Sequence, residues 1–262
     1  MAWRLFSFLL MFCVLGASMA NGAEAVMEMT AATFKITNQS STATCFVISR
    51  QKELFVVTAA HVFEKMSGEE CRIVLRNKQA DGSFVRKEVP LKIRAGNKPL
   101  WVKHPQVDVA AMKLKLPADQ AIPALDFEQI ANETAINKGA LRLASEVWIP
   151  CYPAQLESTS AGFPVLRRGT VASFPLTSVS RFKTFLIDYS SFGGDSGALV
   201  MVRHRGPGEE TERPLIVGLV MAQHRETTKS VTPIEERIVH RSLGLGIIVH
   251  ADLIRETIER VN

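Results

Sequence analysis

Apolar positions along this chain come in short runs more often than at helical spacing. Thr33-Phe34-Lys35-Ile36-Thr37, Cys45-Phe46-Val47-Ile48, Leu54-Phe55-Val56-Val57-Thr58 and Arg72-Ile73-Val74-Leu75 are rich in β-branched and aromatic residues. Such runs predict strands. Val89-Pro90-Leu91-Lys92-Ile93 and Val107-Asp108-Val109-Ala110-Ala111-Met112 extend the series. Pro90 has no N–H to give a ladder, so its run belongs at a sheet edge. Ala80-Asp81-Gly82-Ser83 and Ala95-Gly96-Asn97-Lys98-Pro99 read as turns. No clear period runs from Pro117 to Asn137. A second series then follows: Val147-Trp148-Ile149, Gly169-Thr170-Val171-Ala172, Phe185-Leu186-Ile187-Asp188, Ala198-Leu199-Val200-Met201, Leu215 to Val220, and Gly246-Ile247-Ile248-Val249. The tail differs, because Leu253, Ile254, Ile258 and Val261 fall at helical spacing.

The pattern predicts an all-β fold in two halves of about six strands each. The first covers about 26–116 and the second about 139–250. A linker over about 117–138 joins them, and a short helix at 251–262 docks at the end. Barrel closure is the common way to hide so many strand edges.

The N-terminus changes the picture. Arg4 precedes an apolar run from Leu5 to Gly16, and small residues follow. That is the order of a cleavable signal, assigned here to residues 1–25, with cleavage after Ala20, Ala23 or Ala25. The run is shorter than the roughly 20 residues that span a bilayer. The expected location is therefore secreted or periplasmic, with no membrane anchor after cleavage.

Of the 262 residues, 47% are hydrophobic and 22% charged, which excludes a disordered or coiled-coil chain. The net charge of +5 is scattered, and the only adjacent basic pairs are Arg86-Lys87 and Arg167-Arg168. No basic face is interleaved with aromatics, so nucleic acid is not an expected partner. His and Cys lack the spacing of zinc ligands, and no Gly-rich phosphate loop is present. No metal or cofactor is expected. Cys45, Cys71 and Cys151 remain after signal removal; in an oxidising compartment Cys45 and Cys71 are the expected pair.

Three segments carry candidate chemistry. Ser196 stands in Gly193-Gly194-Asp195-Ser196-Gly197. A nucleophilic serine needs a tight turn whose backbone N–H groups aim at the developing oxyanion, and glycines permit that turn. His61 follows the strand-like Val56-Val57-Thr58 and two alanines, where an imidazole can take and return the serine proton. Asp108 lies inside an apolar run, a costly place for a carboxylate without a partner. An imidazolium is such a partner. Each signal alone has an ordinary reading: a β-turn, a structural histidine, a strand-edge acid.

Together, Thr58-Ala59-Ala60-His61, Asp108 in its apolar run and Gly194-Asp195-Ser196-Gly197 resemble the three motif blocks of chymotrypsin-like (trypsin-fold) serine peptidases. The resemblance spans nearly the whole chain after the signal. It implies two six-stranded antiparallel β-barrels with the site between them, and protein or peptide substrates. It also implies Ser196 as nucleophile, His61 as base then acid, Asp108 as orienter, and the N–H groups of Gly194 and Ser196 as the oxyanion hole. There is no Ile-Val-Gly-Gly type start, so Asp195 lacks the family's ammonium partner and needs another. Ser196-Gly197-Ala198-Leu199 resembles the bacterial exported branch. By the same resemblance the substrate pocket is formed by Ser190, Met221, Ala222 and Gln223. An uncharged Ser190 argues against cleavage after Lys or Arg, and Gln223 makes a shallow pocket. Cleavage after small or uncharged residues is expected. The rival reading is an inactive binding or scaffold protein of the same fold. An α/β-hydrolase esterase is disfavoured, since its triad order is the reverse.

Overall fold

The computed structural model describes residues 23–39, 41–117, 120–205, 212–231 and 234–261. The apolar run Leu5–Gly16 and the possible cleavage position at Ala20 lie outside the described residues. The first described element is a helix, α1, over residues 23–31, whose Ala25 and Met29 are buried in the core.

The first half contains β1 (Thr33–Asn38), β2 (Ser41–Arg50), β3 (Glu53–Thr58), β4 (Glu70–Lys78) and β5 (Phe84–Lys92). Short pieces follow: β6 (Arg94–Ala95), β7 (Lys98–Pro99), β8 (Val102–Lys103), β9 (Ala110–Lys113) and β10 (Leu125–Asp126). Helix α2 (Ala60–Lys65) follows β3 directly. The main sheet has eight strands in the order β5-β4-β1-β2-β3-β9-β8, with β10 joining β2 in parallel. That pairing is traced as an open path, where six strands in a closed barrel were expected. The extra members, β8 and β10, are two-residue pieces too short to show a period. Pro90 sits in β5, at one end of the path, as a residue without an N–H requires. In β2 the stretch Ala43–Ile48 is buried throughout, because one side faces the sheet core and the other meets the second half.

The second half is a closed barrel, β11 (Glu146–Cys151), β12 (Val165–Val171), β13 (Thr184–Asp188), β16 (Glu236–His250), β15 (Arg213–Val231) and β14 (Leu199–His204), in that order. A small helix, α3 (Glu133–Asn137), lies in the connection between halves. β14 pairs with β15 only to Leu219, and β13 pairs with β16 only over Leu245–Val249. Beyond those points β15 and β16 pair with each other alone, as a ribbon reaching Val231 and Glu236. The closing helix, α4 (Ala251–Glu259), buries Leu253, Ile254 and Ile258. Arg255 pins it by donating to the Phe127 and Ile130 carbonyls, each at 3.0 Å.

The expected Cys45–Cys71 disulfide is corrected. Both are free thiols, as is Cys151. Strand β1 lies between β2, which carries Cys45, and β4, which carries Cys71. Two strand spacings are roughly 10 Å, beyond the reach of roughly 7 Å between bridged α-carbons. Burial pushes the Cys45 thiol up, and the Cys71 thiol up to about 12, so both are inert.

His250 shows what this core does to a titratable group. It is 1% exposed, its Nε2 has no partner, and its ring lies 4.8 Å from that of Phe185. Burial pushes its pKa down to about 4. The unfolded chain takes up this proton near pH 6.5, and the fold resists it. Stability from this group is therefore complete above about pH 6.5 and is lost as pH falls toward 4. The loss at pH 5 should be about 2 kcal/mol. Urea unfolding of wild type and His250→Phe at pH 7 and pH 5 measures it, and the variant should show a shallower decline.

Candidate active site

β3 ends at Thr58, Ala59 takes extended dihedrals, and α2 begins at Ala60. His61 is thus in the first helical turn, where backbone N–H groups lack intrahelical acceptors. Its N–H donates to Asp108 Oδ1 at 2.8 Å, and its ring Nδ1 donates to Asp108 Oδ2 at 2.5 Å. One carboxylate thereby serves both the ring and the helix end. Asp108 stands just before β9, which pairs with β3. The two side chains are 23% and 25% exposed. Burial works to raise the Asp108 pKa, but the two bonds from His61 and the nearby charges of His61 and Lys103 outweigh it. The carboxyl stays below its ordinary range and remains ionised at neutral pH.

The Ser196 turn is anchored to the first half through a residue that no motif pointed to. Thr44, fully buried on β2, donates its N–H to the Ser196 carbonyl at 3.0 Å and its hydroxyl to the Gly194 carbonyl at 2.7 Å. Thr58 in turn donates its hydroxyl to the Thr44 carbonyl at 2.8 Å. A side chain on Gly197 would stand 2.1 Å from Thr58 Oγ1 and 3.0 Å from the Ala59 nitrogen. With φ at +85°, only glycine suits that position. The serine turn therefore lies against the chain that leads into His61. Gly194 is also in the left-handed region, with φ at +103°. Among the described residues, no carbonyl or side chain accepts from the Gly194 or Ser196 N–H.

Asp195 finds its missing partner in Arg167. The carboxylate is fully buried, and its Oδ2 accepts from Tyr189 Oη at 2.7 Å, from the Phe192 N–H at 2.8 Å and from Arg167 at 3.4 Å. The guanidinium lies over the rings of Tyr189 and Phe192, 4.4 and 5.2 Å from their centroids. Burial pushes the Asp195 pKa up; bonds from Phe192, Tyr189 and Cys151 and the Arg167 charge pull it back in part. Strand alternation held the clue, since Arg167 shares the inward face of β12 with Gly169 and Val171.

Of the pocket residues, Ser190 is exposed, with its Oγ 3.7 Å from where a side chain on Gly244 would begin. The Gln223 amide nitrogen donates to the Ser191 carbonyl and Ser242 Oγ, each at 2.8 Å, and its oxygen accepts from Arg225 Nε at 3.2 Å. Gln223 thus ties two walls together. Met221 is half-buried and Ala222 exposed at a β-bulge. Among the described residues, no cluster of His, Cys, Asp and Glu is arranged to hold a metal ion.

With this geometry in view, residues 43–206 match the model of the trypsin-like peptidase domain. This chain belongs to that family. It is a trypsin-like serine peptidase, as the motif resemblance implied. No curated protein matches the sequence. Among solved structures, the HtrA-type protease AlgW with tripeptide aligns with a TM-score of 0.54 and 16% identity, over 90% of this chain and 62% of that chain. Rv3671c from M. tuberculosis H37Rv, in its inactive form, aligns with a TM-score of 0.49 and 16% identity, over 90% and 89% of the two chains. The AlgW likeness supports a trypsin-like fold for the peptidase.

Proposed function

We propose that this trypsin-like peptidase is an exported serine endopeptidase that cuts protein or peptide substrates through an acyl-enzyme. The two halves act as paired barrels with the site between them. Ser196 Oγ attacks the scissile carbonyl as His61 Nε2 takes its proton, and the tetrahedral oxyanion rests on the N–H groups of Gly194 and Ser196. His61 then passes the proton to the leaving amine, and water repeats the cycle on the acyl ester. Asp108 holds the tautomer and stabilises the imidazolium. The observation that carries this reading is the His61–Asp108 pair, with both carboxylate oxygens engaged and the Ser196 turn packed against the same segment.

A fluorophosphonate probe tests it. Wild type should label at Ser196, and Ser196→Ala should remain unlabelled with its fold intact. An unlabelled, folded wild type would favour the scaffold reading. Export rests on the N-terminal residue pattern; amino-terminal sequencing of secreted material would find the new end after Ala20, Ala23 or Ala25.

Cleavage after small or uncharged residues rests on the uncharged Ser190 and on Gln223 tying the pocket walls together. Gln223→Gly should widen the pocket and raise kcat/KM for large apolar residues by about tenfold, the scale on which a pocket discriminates by one or two methylenes. A peptide-library profile of both proteins measures this. Dominant wild-type cleavage after Lys, Arg or Glu contradicts it.

A further inference from the structure

Behind the nucleophile turn lies a second turn, over residues 152–157. Its Ala154 N–H donates to the Gly193 carbonyl at 2.7 Å. Its Tyr152 carbonyl stands 2.1 Å from where a side chain on Gly194 would begin. A trans peptide places its C=O and N–H on opposite sides. Drawing the Gly193 carbonyl toward Ala154 therefore turns the Gly194 N–H away from it, where no acceptor among the described residues receives it. The aim of the oxyanion donor is thus set by the position of Ala154.

That turn has an unusual backbone, with φ of +48° at Ala154 and +70° at Gln155. Non-glycine residues hold such dihedrals only where their surroundings enforce them. The enforcement comes from the other half of the molecule. Lys35, buried on β1, donates its Nζ to the Gln155 carbonyl at 3.0 Å and to Glu157 Oε1 at 2.9 Å. Arg76 on β4 donates to Tyr152 Oη at 3.2 Å and to the Gly162 carbonyl at 3.3 Å. The same guanidinium donates to the carbonyls of Thr33 at 2.8 Å and Ala31 at 2.6 Å. It lies between the rings of Phe34 and Phe163, 4.5 and 4.7 Å from their centroids. Arg76 therefore links the end of α1 and the start of β1 to the turn behind the oxyanion hole.

We propose that Lys35 and Arg76 are positioning residues for the oxyanion hole, acting through Ala154 and Gly193 on the direction of the Gly194 N–H. The proposal rests on the acyl-transfer reading given above. A clamp of this kind supports the transition state and not the ground state, so its loss should appear in kcat and leave KM unchanged.

Lys35→Met and Arg76→Lys test it in the full chain. Each should lower kcat by about 10- to 100-fold, short of the 10²- to 10³-fold cost of deleting an oxyanion donor. KM for a peptide substrate should stay within about twofold. Affinity for a peptide aldehyde, whose adduct with Ser196 places an oxyanion in the hole, should fall in parallel with kcat. Affinity for the matching peptide alcohol should hold. Lys35→Arg should restore most of the loss, and melting temperatures will show that the variants fold. If Arg76→Lys unfolds, Lys35→Met alone decides. A folded Lys35→Met with wild-type kcat and aldehyde affinity, or with a raised KM alone, overturns the clamp. When wild type labels with fluorophosphonate at Ser196, that outcome overturns the clamp alone. A wild type that takes no label overturns both readings.

Discussion

Asp108→Asn should lower kcat by about 10⁴-fold and leave the fold intact. The asparagine oxygen can still accept the His61 N–H, which Asp108 Oδ1 now accepts at 2.8 Å, so the start of α2 stays capped. The other oxygen becomes an NH₂ group facing Nδ1. Two donors cannot share that 2.5 Å contact, so the ring must present its lone pair there and carry its proton on Nε2. In that tautomer Nε2 cannot take the serine proton. The carboxylate charge that offsets the imidazolium is lost as well. Steady-state kinetics with a circular dichroism control measure the effect. A variant within tenfold of wild type would remove Asp108 from the mechanism.

Arg167→Met should be the most destabilising change near the site. It leaves the fully buried Asp195 carboxylate with neutral donors alone, the Tyr189 hydroxyl, the Phe192 N–H and the Cys151 thiol. Breaking a buried pair from one side costs about 3–5 kcal/mol. Arg167 is 23% exposed and its contact is 3.4 Å, so the low end, about 3 kcal/mol, is expected. The pH dependence has a definite sign. Burial already raises the Asp195 pKa, and removing the Arg167 charge raises it further. A carboxyl with a raised folded-state pKa stabilises the fold at low pH, and that stability is lost as pH rises through 3.8 and beyond. The gap between variant and wild type should therefore be widest at pH 7 and shrink toward pH 4. Urea unfolding at the two pH values reads it directly. Turnover should fall too, because Asp195 lies between Gly194 and Ser196, whose N–H groups are the proposed oxyanion donors.

The candidate site divides into parts legible in the chain and parts that are not. His61, Asp108 and Ser196 each carry a local signature, since a strand end, an acid in an apolar run and a glycine-framed serine are all short-range patterns. Thr44 and Arg76 carry none, and Arg167 carries only the alternation of its strand. Their partners lie 150, 76 and 28 residues away, and only the folded chain brings them together. Arg167 is instructive, because Arg167-Arg168 reads as one surface pair. Alternation along β12 splits it: Arg168 faces outward to Glu146, and Arg167 turns in to Asp195. Strand runs located most of the β-elements, but pairing order depends on neighbours remote in sequence. That is why Cys45 and Cys71 looked like partners although β1 separates their strands.

Among the described residues, no further strand pairs with either edge of the ribbon formed by β15 and β16 once it leaves the barrel. Such an edge is a template for any extended chain, whether a substrate or a second copy. Its side chains limit that generosity. Lys229 pairs with Glu236 at 2.8 Å, and Glu226 stands across from Arg241. A visiting strand must match these charges or strip water from them. The ribbon is therefore open in its backbone and guarded in its side chains.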